Sequence, residues 1–238
     1  MTPSTDLSKI DALILCGGLG TRFREVSDSI PKILAPLDEN TTFLDIMLDR
    51  LEEAGVRTPI LCTGYLSEII EEYCHKKGRS VRFSKEETPM GTGGAIAHAY
   101  RFVYSNPFLV FNGDSLCSVS LRELVKFHID SRAWTTLTVL ATEDPSFGGR
   151  VVIGKDGRVW EFIEKGKEVG AGLVNAGIYV MSNAMFECMP NRSFSLEKDL
   201  LPNICTLCAC FETHSELIDI GTLQRFKHID KVRDFSLL

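Results

Sequence analysis

Asp11-Ala12-Leu13-Ile14-Leu15-Cys16-Gly17-Gly18-Leu19-Gly20-Thr21-Arg22 runs through five apolar side chains and turns at once into glycine. A short unbroken apolar run ending on glycines is the shape of a strand buried on both faces and entering a loop. Such a strand belongs to a parallel sheet, whose partners return by crossover helices. The next segments supply them. Phe43, Leu44, Met47, Leu48 and Leu51 repeat at helical spacing through Ala54, and Gly55 closes the segment. Thr58–Thr63 reads as a second strand, Ser67 as the cap of a helix through Cys74, and Val81–Ser84 as a third strand. Gly94–Phe102 reads as a helix, Phe108–Phe111 as a strand, and Ser120 as the cap of a helix through Ile129. Strand and helix thus alternate about every 25 residues, which predicts an α/β fold with helices on both faces of a mainly parallel sheet.

The second half changes character. Thr135–Ala141, Arg150–Ile153, Val159–Ile163 and Leu173–Met181 are strand-like with few helices between, and Asp156-Gly157 marks a hairpin turn. Phe194–Pro202 reads as a surface helix capped by Ser195, Ile204–Phe211 as a buried strand, and Leu223–Val232 as a last helix. No linker, repeat or low-complexity segment interrupts the chain. Residues 1–238 therefore read as one domain, with a strand–helix half over about 10–130 and a mixed-strand half over about 131–238.

Composition narrows the function classes. The 238 residues are 44% hydrophobic and 24% charged, an ordinary globular balance. A net charge of −6 argues against a nucleic-acid partner, which wants a basic face. No apolar run approaches the roughly 20 residues a membrane helix needs. Met1–Lys9 is polar and lacks the basic start and apolar middle of a secretory signal, so a soluble cytoplasmic protein is expected. Cys205, Cys208 and Cys210 cluster with His214 behind them, but their apolar setting reads as core packing before it reads as a zinc site.

The chemistry concentrates at strand ends. Glycines after a strand let backbone amides approach phosphate oxygens, and Arg22 and Lys32 add cationic donors. The chain lacks the G-x4-G-K-[ST] phosphate loop, and Phe23 stands where a dinucleotide fingerprint needs its third glycine. Asp114 and Asp219 each follow an apolar strand, where two carboxylates suit one magnesium ion. Their plainer readings are an Asx turn at Asn112-Gly113-Asp114 and a turn carboxylate before the last helix. Lys165 in Glu164-Lys165-Gly166-Lys167 reads equally as a solvated lysine.

Taken in order, these segments resemble the nucleotidyltransferases that activate sugar 1-phosphates. Gly17-Gly18-Leu19-Gly20-Thr21-Arg22, eight residues, then Pro31-Lys32 is similar to their first nucleotide loop. Met90-Gly91-Thr92-Gly93-Gly94-Ala95-Ile96 resembles the second, and Phe111-Asn112-Gly113-Asp114 the metal-binding strand end. Glu164-Lys165, Asn175-Ala176-Gly177-Ile178-Tyr179 and Ile218-Asp219-Ile220-Gly221-Thr222 resemble the sugar-phosphate and second metal segments. Cys16, in place of the usual alanine, and Ile33, in place of a common second proline, depart from the pattern. Pro89–Ile96 together with Phe194–Pro202 is most similar to the D-glycero-α-D-manno-heptose 1-phosphate guanylyltransferases.

The resemblance implies a Rossmann-like three-layer fold, a nucleotide-binding half and a sugar-phosphate-binding half. It implies transfer of a nucleotidyl group from a nucleoside triphosphate to a sugar 1-phosphate with Mg2+, GTP and a manno-heptose 1-phosphate being favoured. It assigns Arg22 and Lys32 to the triphosphate, Asp114 and Asp219 to the metal, and Lys165 to the sugar phosphate. Leu15, Gly17, Gly18, Gly20, Thr21, Glu86, Gly91, Thr92 and Asn112 are the implied nucleotide contacts, and Gly149, Glu164 and Asn175 the sugar contacts. A carboxylate at Glu86 suits the paired N1–H and N2–H donors of guanine, and could also take one donor from cytosine. The alternatives are mannose 1-phosphate with GTP, a hexose 1-phosphate with UTP, CTP or dTTP, or a nucleotide-sugar sensor that has kept the same fold. The expected partners are small molecules, with neither nucleic acid nor membrane, and a homo-oligomer is compatible with the family.

Overall fold

The computed structural model describes residues 6–18, 30–143, 148–163, 171–221 and Phe226. The strand β1 (Ala12–Leu15) lies between two parallel neighbours, β2 (Ile60–Thr63) and β4 (Phe108–Asn112). Beyond β2, the strand β3 (Arg82–Lys85) continues the parallel set. On the other side β9 (Gly172–Met181) runs antiparallel to both β4 and β6 (Thr135–Thr142). The strand β10 (Cys208–Thr213) then lies parallel to β6, giving the order β10-β6-β9-β4-β1-β2-β3. A hairpin of β7 (Arg150–Ile153) and β8 (Val159–Ile163) turns at Gly157 and attaches to β9. Two short strands, β5 (Ser115–Cys117) and β11 (Leu217–Asp219), form a separate antiparallel ladder.

The strands bury both faces, and successive side chains point to opposite sides. Ala12, Ile14, Leu61, Leu109 and Phe111 enter one core, while Leu13, Ile60, Cys62, Phe108 and Val110 enter the other. The first core is covered by α1 (Phe43–Ala54), α2 (Ser67–Lys76) and α4 (Leu121–Ser131), the second by α3 (Gly91–Ala99) and the segment around 185–205. This is the three-layer α/β arrangement expected from the strand–helix alternation.

The helix ends show where local sequence decides and where it does not. Thr42 and Asp45 cap α1 reciprocally, and Gly55 closes it in the left-handed region at φ 100°. Ser120 accepts the Glu123 N–H at the start of α4, as expected. Ser67, expected as a cap, is instead the first residue inside α2, and Leu66 caps it at φ 58°. The tight strand–helix turn is closed by the Ser67 N–H on the Gly64 carbonyl, which carries Ser67 past the cap. The third helix starts at Gly91, earlier than the expected Gly94, because its glycines are seated against Phe194. Ser195 caps the Phe194–Pro202 segment as expected, accepting the Lys198 N–H at 3.1 Å, but the segment is not a regular surface helix. Leu196–Leu200 form a single π-helical turn, with Phe194, Leu196 and Leu200 buried. Of the expected strand Ile204–Phe211, Cys205–Leu207 form a 3-10 turn and the strand begins at Cys208.

The thiols of Cys205 and Cys208 donate to the carbonyls of Leu201 and Ile204, at 3.2 and 3.4 Å. Among the described residues no group of three His, Cys, Asp or Glu side chains is arranged to hold a metal, and no helix is long and apolar enough to cross a membrane. His128 on α4 is buried between the hydroxyls of Thr136 and Ser182, at 2.9 and 2.8 Å, and burial holds its pKa down at about 4. The last helix expected over Leu223–Val232 lies outside the described residues, apart from Phe226, which packs against the first core.

Candidate functional site

The carboxyl ends of β1, β3 and β4 open on a cleft of about 500 Å³. In an open parallel sheet this is where ligands bind. Leu15, Gly17, Gly18, Lys32, Glu86, Gly91, Thr92, Asn112 and Asp114 all line it, so nine of the residues singled out from sequence meet in one place. Close backbone approach explains two of the glycines. A Cβ on Gly17 would stand 3.1 Å from Glu86 Oε1, and one on Gly113 would stand 2.5 Å from the Leu15 carbonyl oxygen. The Gly113 N–H donates to that same oxygen at 2.9 Å, which locks the ends of β1 and β4 together.

Glu86 follows β3 and leans over this turn. Its Oε2 accepts the Met90 N–H at 3.2 Å. Burial raises its pKa above the usual carboxylate range, and the Met90 hydrogen bond opposes that shift. A half-buried carboxylate at the wall of a cleft is a strong acceptor for paired N–H donors. The Asn112 side-chain oxygen is buried without a hydrogen-bond partner among the described residues, leaving an acceptor beside the cleft.

Elsewhere on the cleft lining Lys32 Nζ sits 2.6 Å from Asp114 Oδ2. Lys32 opens a 3-10 turn whose next residues, Ile33 and Leu34, are buried, so the base of its side chain is fixed. Asp114 leads into β5, and its carbonyl accepts the Ile220 N–H at 2.9 Å. On the ladder Asp219 stands opposite Ser115, the residue after Asp114. Asp219 is buried and takes the Gly221 N–H on Oδ1. The ladder therefore brings the two carboxylate-bearing residues together across a wide sequence separation. Asp114 lines the cleft, whereas Asp219 is not among its lining residues. A pair of carboxylates is a donor set that suits Mg2+.

The start of α3 is built differently from an open phosphate loop. The Gly93 and Gly94 N–H groups donate to the Phe194 carbonyl at 3.1 and 3.2 Å, and Phe194 N–H donates to Met90. Thr92 Oγ1 donates to Glu197 at 2.6 Å and accepts the Leu196 N–H at 2.8 Å. Glu197 in turn meets the hydroxyls of Ser195 and Tyr179. Burial and the neighbouring Glu197 push the Tyr179 hydroxyl pKa well up. Sequence reasoning missed Tyr179 and Glu197. The only signal for them was their place in segments already singled out.

Asn175 and Gly149 sit together away from the cleft lining. The Asn175 N–H donates to the Gly149 carbonyl at 2.9 Å. The Asn175 side chain donates to Tyr179 Oη at 2.6 Å and accepts the Gly177 N–H at 3.1 Å. Gly20, Thr21, Arg22, Glu164 and Lys165 lie outside the described residues.

Comparison with known proteins follows the same lines. Residues 11–229 match the nucleotidyl transferase family. Over 195 residues the chain is 40% identical to D-glycero-alpha-D-manno-heptose 1-phosphate guanylyltransferase of Aneurinibacillus thermoaerophilus, covering 81% of this chain and 84% of that one. It is 36% identical over 200 residues to the mannose-1-phosphate guanylyltransferase catalytic subunit beta of Danio rerio, but spans only 55% of that protein's length. The crystal structure of HddC from Yersinia pseudotuberculosis, also solved as a complex with GMP-PN, superposes with a TM-score of 0.83 at 31% identity, over 94% of this chain and 100% of that one. By profile, by identity over most of its length and by fold, the chain belongs to the nucleotidyl transferase family.

Proposed function

We propose that this protein transfers GMP from GTP to D-glycero-α-D-manno-heptose 1-phosphate, giving GDP-heptose and pyrophosphate. The observation that carries the reading is the single cleft uniting the Gly17–Gly18 turn, Glu86, Lys32 and Asp114. In this reading a phosphate oxygen of the sugar 1-phosphate attacks the α-phosphorus in line. The bond from the α-phosphorus to the bridging oxygen breaks, and pyrophosphate leaves with that electron pair. No protein nucleophile is needed; positioning and charge neutralisation lower the barrier.

The chain's residues divide the task. Glu86 accepts the guanine N1–H and N2–H donors, and the Gly17, Gly18, Gly91 and Thr92 backbone frames the base and ribose. Arg22 and Lys32 hold the triphosphate and the departing pyrophosphate, and Lys165 orients the sugar phosphate. Asp114 and Asp219 are the residues that would hold Mg2+. When bound, the ion neutralises charge on the α- and β-phosphates. Gly149, Glu164, Asn175 and the Tyr179–Glu197 pair shape the sugar side. A reaction that consumes GTP fits the cytoplasm, and its product suits surface-polysaccharide synthesis. The mannose-1-phosphate guanylyltransferases among the relatives favour mannose 1-phosphate as the second reading.

Pyrophosphate release with Mg2+ tests both readings, using ATP, GTP, CTP, UTP and dTTP against heptose, mannose and glucose 1-phosphates. Release with GTP and the heptose phosphate is expected. Preference for mannose 1-phosphate would replace the sugar. No release from folded, nucleotide-binding protein would favour a sensor.

A further inference from the structure

We propose that the Lys32 ammonium holds the metal's place on Asp114 in the free enzyme, so that a divalent cation enters tightly only with the triphosphate. This inference rests on the reading of Asp114 as a metal ligand. Lys32 Nζ lies 2.6 Å from Asp114 Oδ2, a charge-assisted contact at the wall of the nucleotide cleft. The Lys32 side chain is only 17% exposed. It rises from a turn pinned by Ile33 and Leu34, with the Leu34 N–H on the Pro31 carbonyl at 2.8 Å. It is therefore aimed at Asp114 by the fold and is unlike a long surface lysine that visits many acceptors.

Magnesium demands ligand oxygens at about 2.0–2.1 Å. An oxygen that close to a dication cannot also keep an ammonium at 2.6 Å without strong repulsion between the cations. The second carboxylate oxygen already takes the Ser115 hydroxyl at 3.2 Å. A metal arriving alone meets a neutralised carboxylate and has to evict Lys32 into water. A triphosphate supplies a receiver. Lys32 moves to its oxygens, Asp114 regains its negative charge, and the metal binds between carboxylate and phosphate. Nucleotide and metal then strengthen each other's binding by one factor, as linkage requires. Run in reverse, the return of Lys32 to Asp114 lets the metal leave with pyrophosphate.

The test is Mn2+ binding followed by electron paramagnetic resonance, in wild type, Lys32→Met and Lys32→Arg, with thermal melts checking that each is folded. Without nucleotide, Lys32→Met should bind Mn2+ about tenfold tighter than wild type, within the roughly 5- to 150-fold span of such couplings. Lys32→Arg keeps the charge and should stay near wild type. Adding Asp114→Asn to Lys32→Met should abolish the gain. With a non-hydrolysable GTP analogue, wild type should gain Mn2+ affinity by more than the methionine variant does. Equal or weaker Mn2+ binding in folded Lys32→Met would overturn the inference. So would a gain that survives Asp114→Asn. The functional reading fails separately: pyrophosphate release by Asp114→Asn at the wild-type rate would overturn it, and the inference with it. An inactive Asp114→Asn alongside unchanged Mn2+ binding in Lys32→Met would overturn the inference alone.

Discussion

Replacing Gly93 by alanine sets two effects of opposite sign against each other. Gly93 lies inside α3, where alanine is favoured over glycine by about 1 kcal/mol. Helix propensity alone therefore predicts a more stable protein. The tertiary seat predicts the reverse. A Cβ at this position would stand 2.1 Å from Cε2 of Phe194 and 2.5 Å from its Cδ2. Those atoms belong to a ring that is 3% exposed, in a segment whose carbonyl already takes the Gly93 and Gly94 N–H groups. Overpacking of this kind costs about 1–3 kcal/mol, and expelling a buried phenylalanine costs about 3–5 kcal/mol. At 2.1 Å the ring cannot stay in place, so the larger cost applies, and after the gain in propensity a net loss of about 2–4 kcal/mol remains. For a chain of this size that lowers Tm by roughly 4–16 °C. Because Leu196 and Glu197 hold Thr92 at the cleft, KM for the nucleotide should rise as well. Urea and thermal unfolding followed by circular dichroism give the stability, and initial rates give the KM. A Gly93→Ala variant as stable as wild type, or more so, would refute the assignment of Phe194 to that seat.

Other outcomes follow from the same geometry. Asp114→Asn should cut turnover by at least about 100-fold while Tm stays within a few degrees; wild-type turnover would remove Asp114 from the site. Lys165→Ala should raise KM for the sugar phosphate far more than KM for the nucleotide, and the opposite pattern would mean the two sites are exchanged. His128 adds an acid-sensitive contribution to stability. Its pKa falls from 6.5 to about 4 on burial, so below pH 6.5 the unfolded chain takes up a proton that the folded one refuses. Stability is complete above pH 6.5 and declines toward pH 4, by about 3 kcal/mol at ~1.4 kcal/mol per pH unit. His128→Leu should flatten urea-midpoint curves over that window; curves parallel to wild type would show that the imidazole titrates normally.

Much of this was legible in the sequence wherever a local rule and the tertiary structure agreed. The apolar spacing from Phe43 and the closing Gly55 mark α1 by chemistry contained within the helix itself. The unbroken apolar runs Ala12–Leu15 and Phe108–Phe111 read as strands buried on both faces, and both lie inside the sheet. The cleft was legible because its residues sit at strand ends, which a parallel sheet brings together. The start of α3 was not. Glycine argues for a loop, and the helical placement of Gly91 and Gly93 is tied to the distant Phe194. Ser67 failed as a cap for a related reason: the chain turns at Leu66, in a conformation its residue type does not advertise. Tyr179 and Glu197 were missed because their pairing exists only across the fold.

The position of β9 bears on how the chain is made. Of the neighbours of β4, β1 precedes it and β9 follows it by some sixty residues. During vectorial synthesis the amino-terminal strands can pair as they emerge, but the outer backbone edge of β4 stays open until Gly172–Met181 leaves the ribosome. An open apolar edge is a template for pairing with another nascent chain. The interval between the two strands is thus the window in which crowded translation, a rare-codon pause or heat carries the greatest risk of aggregation. Slowing elongation while β4 has emerged and Gly172–Met181 has not should lower soluble yield, whereas slowing it after Gly172–Met181 has left the ribosome should not.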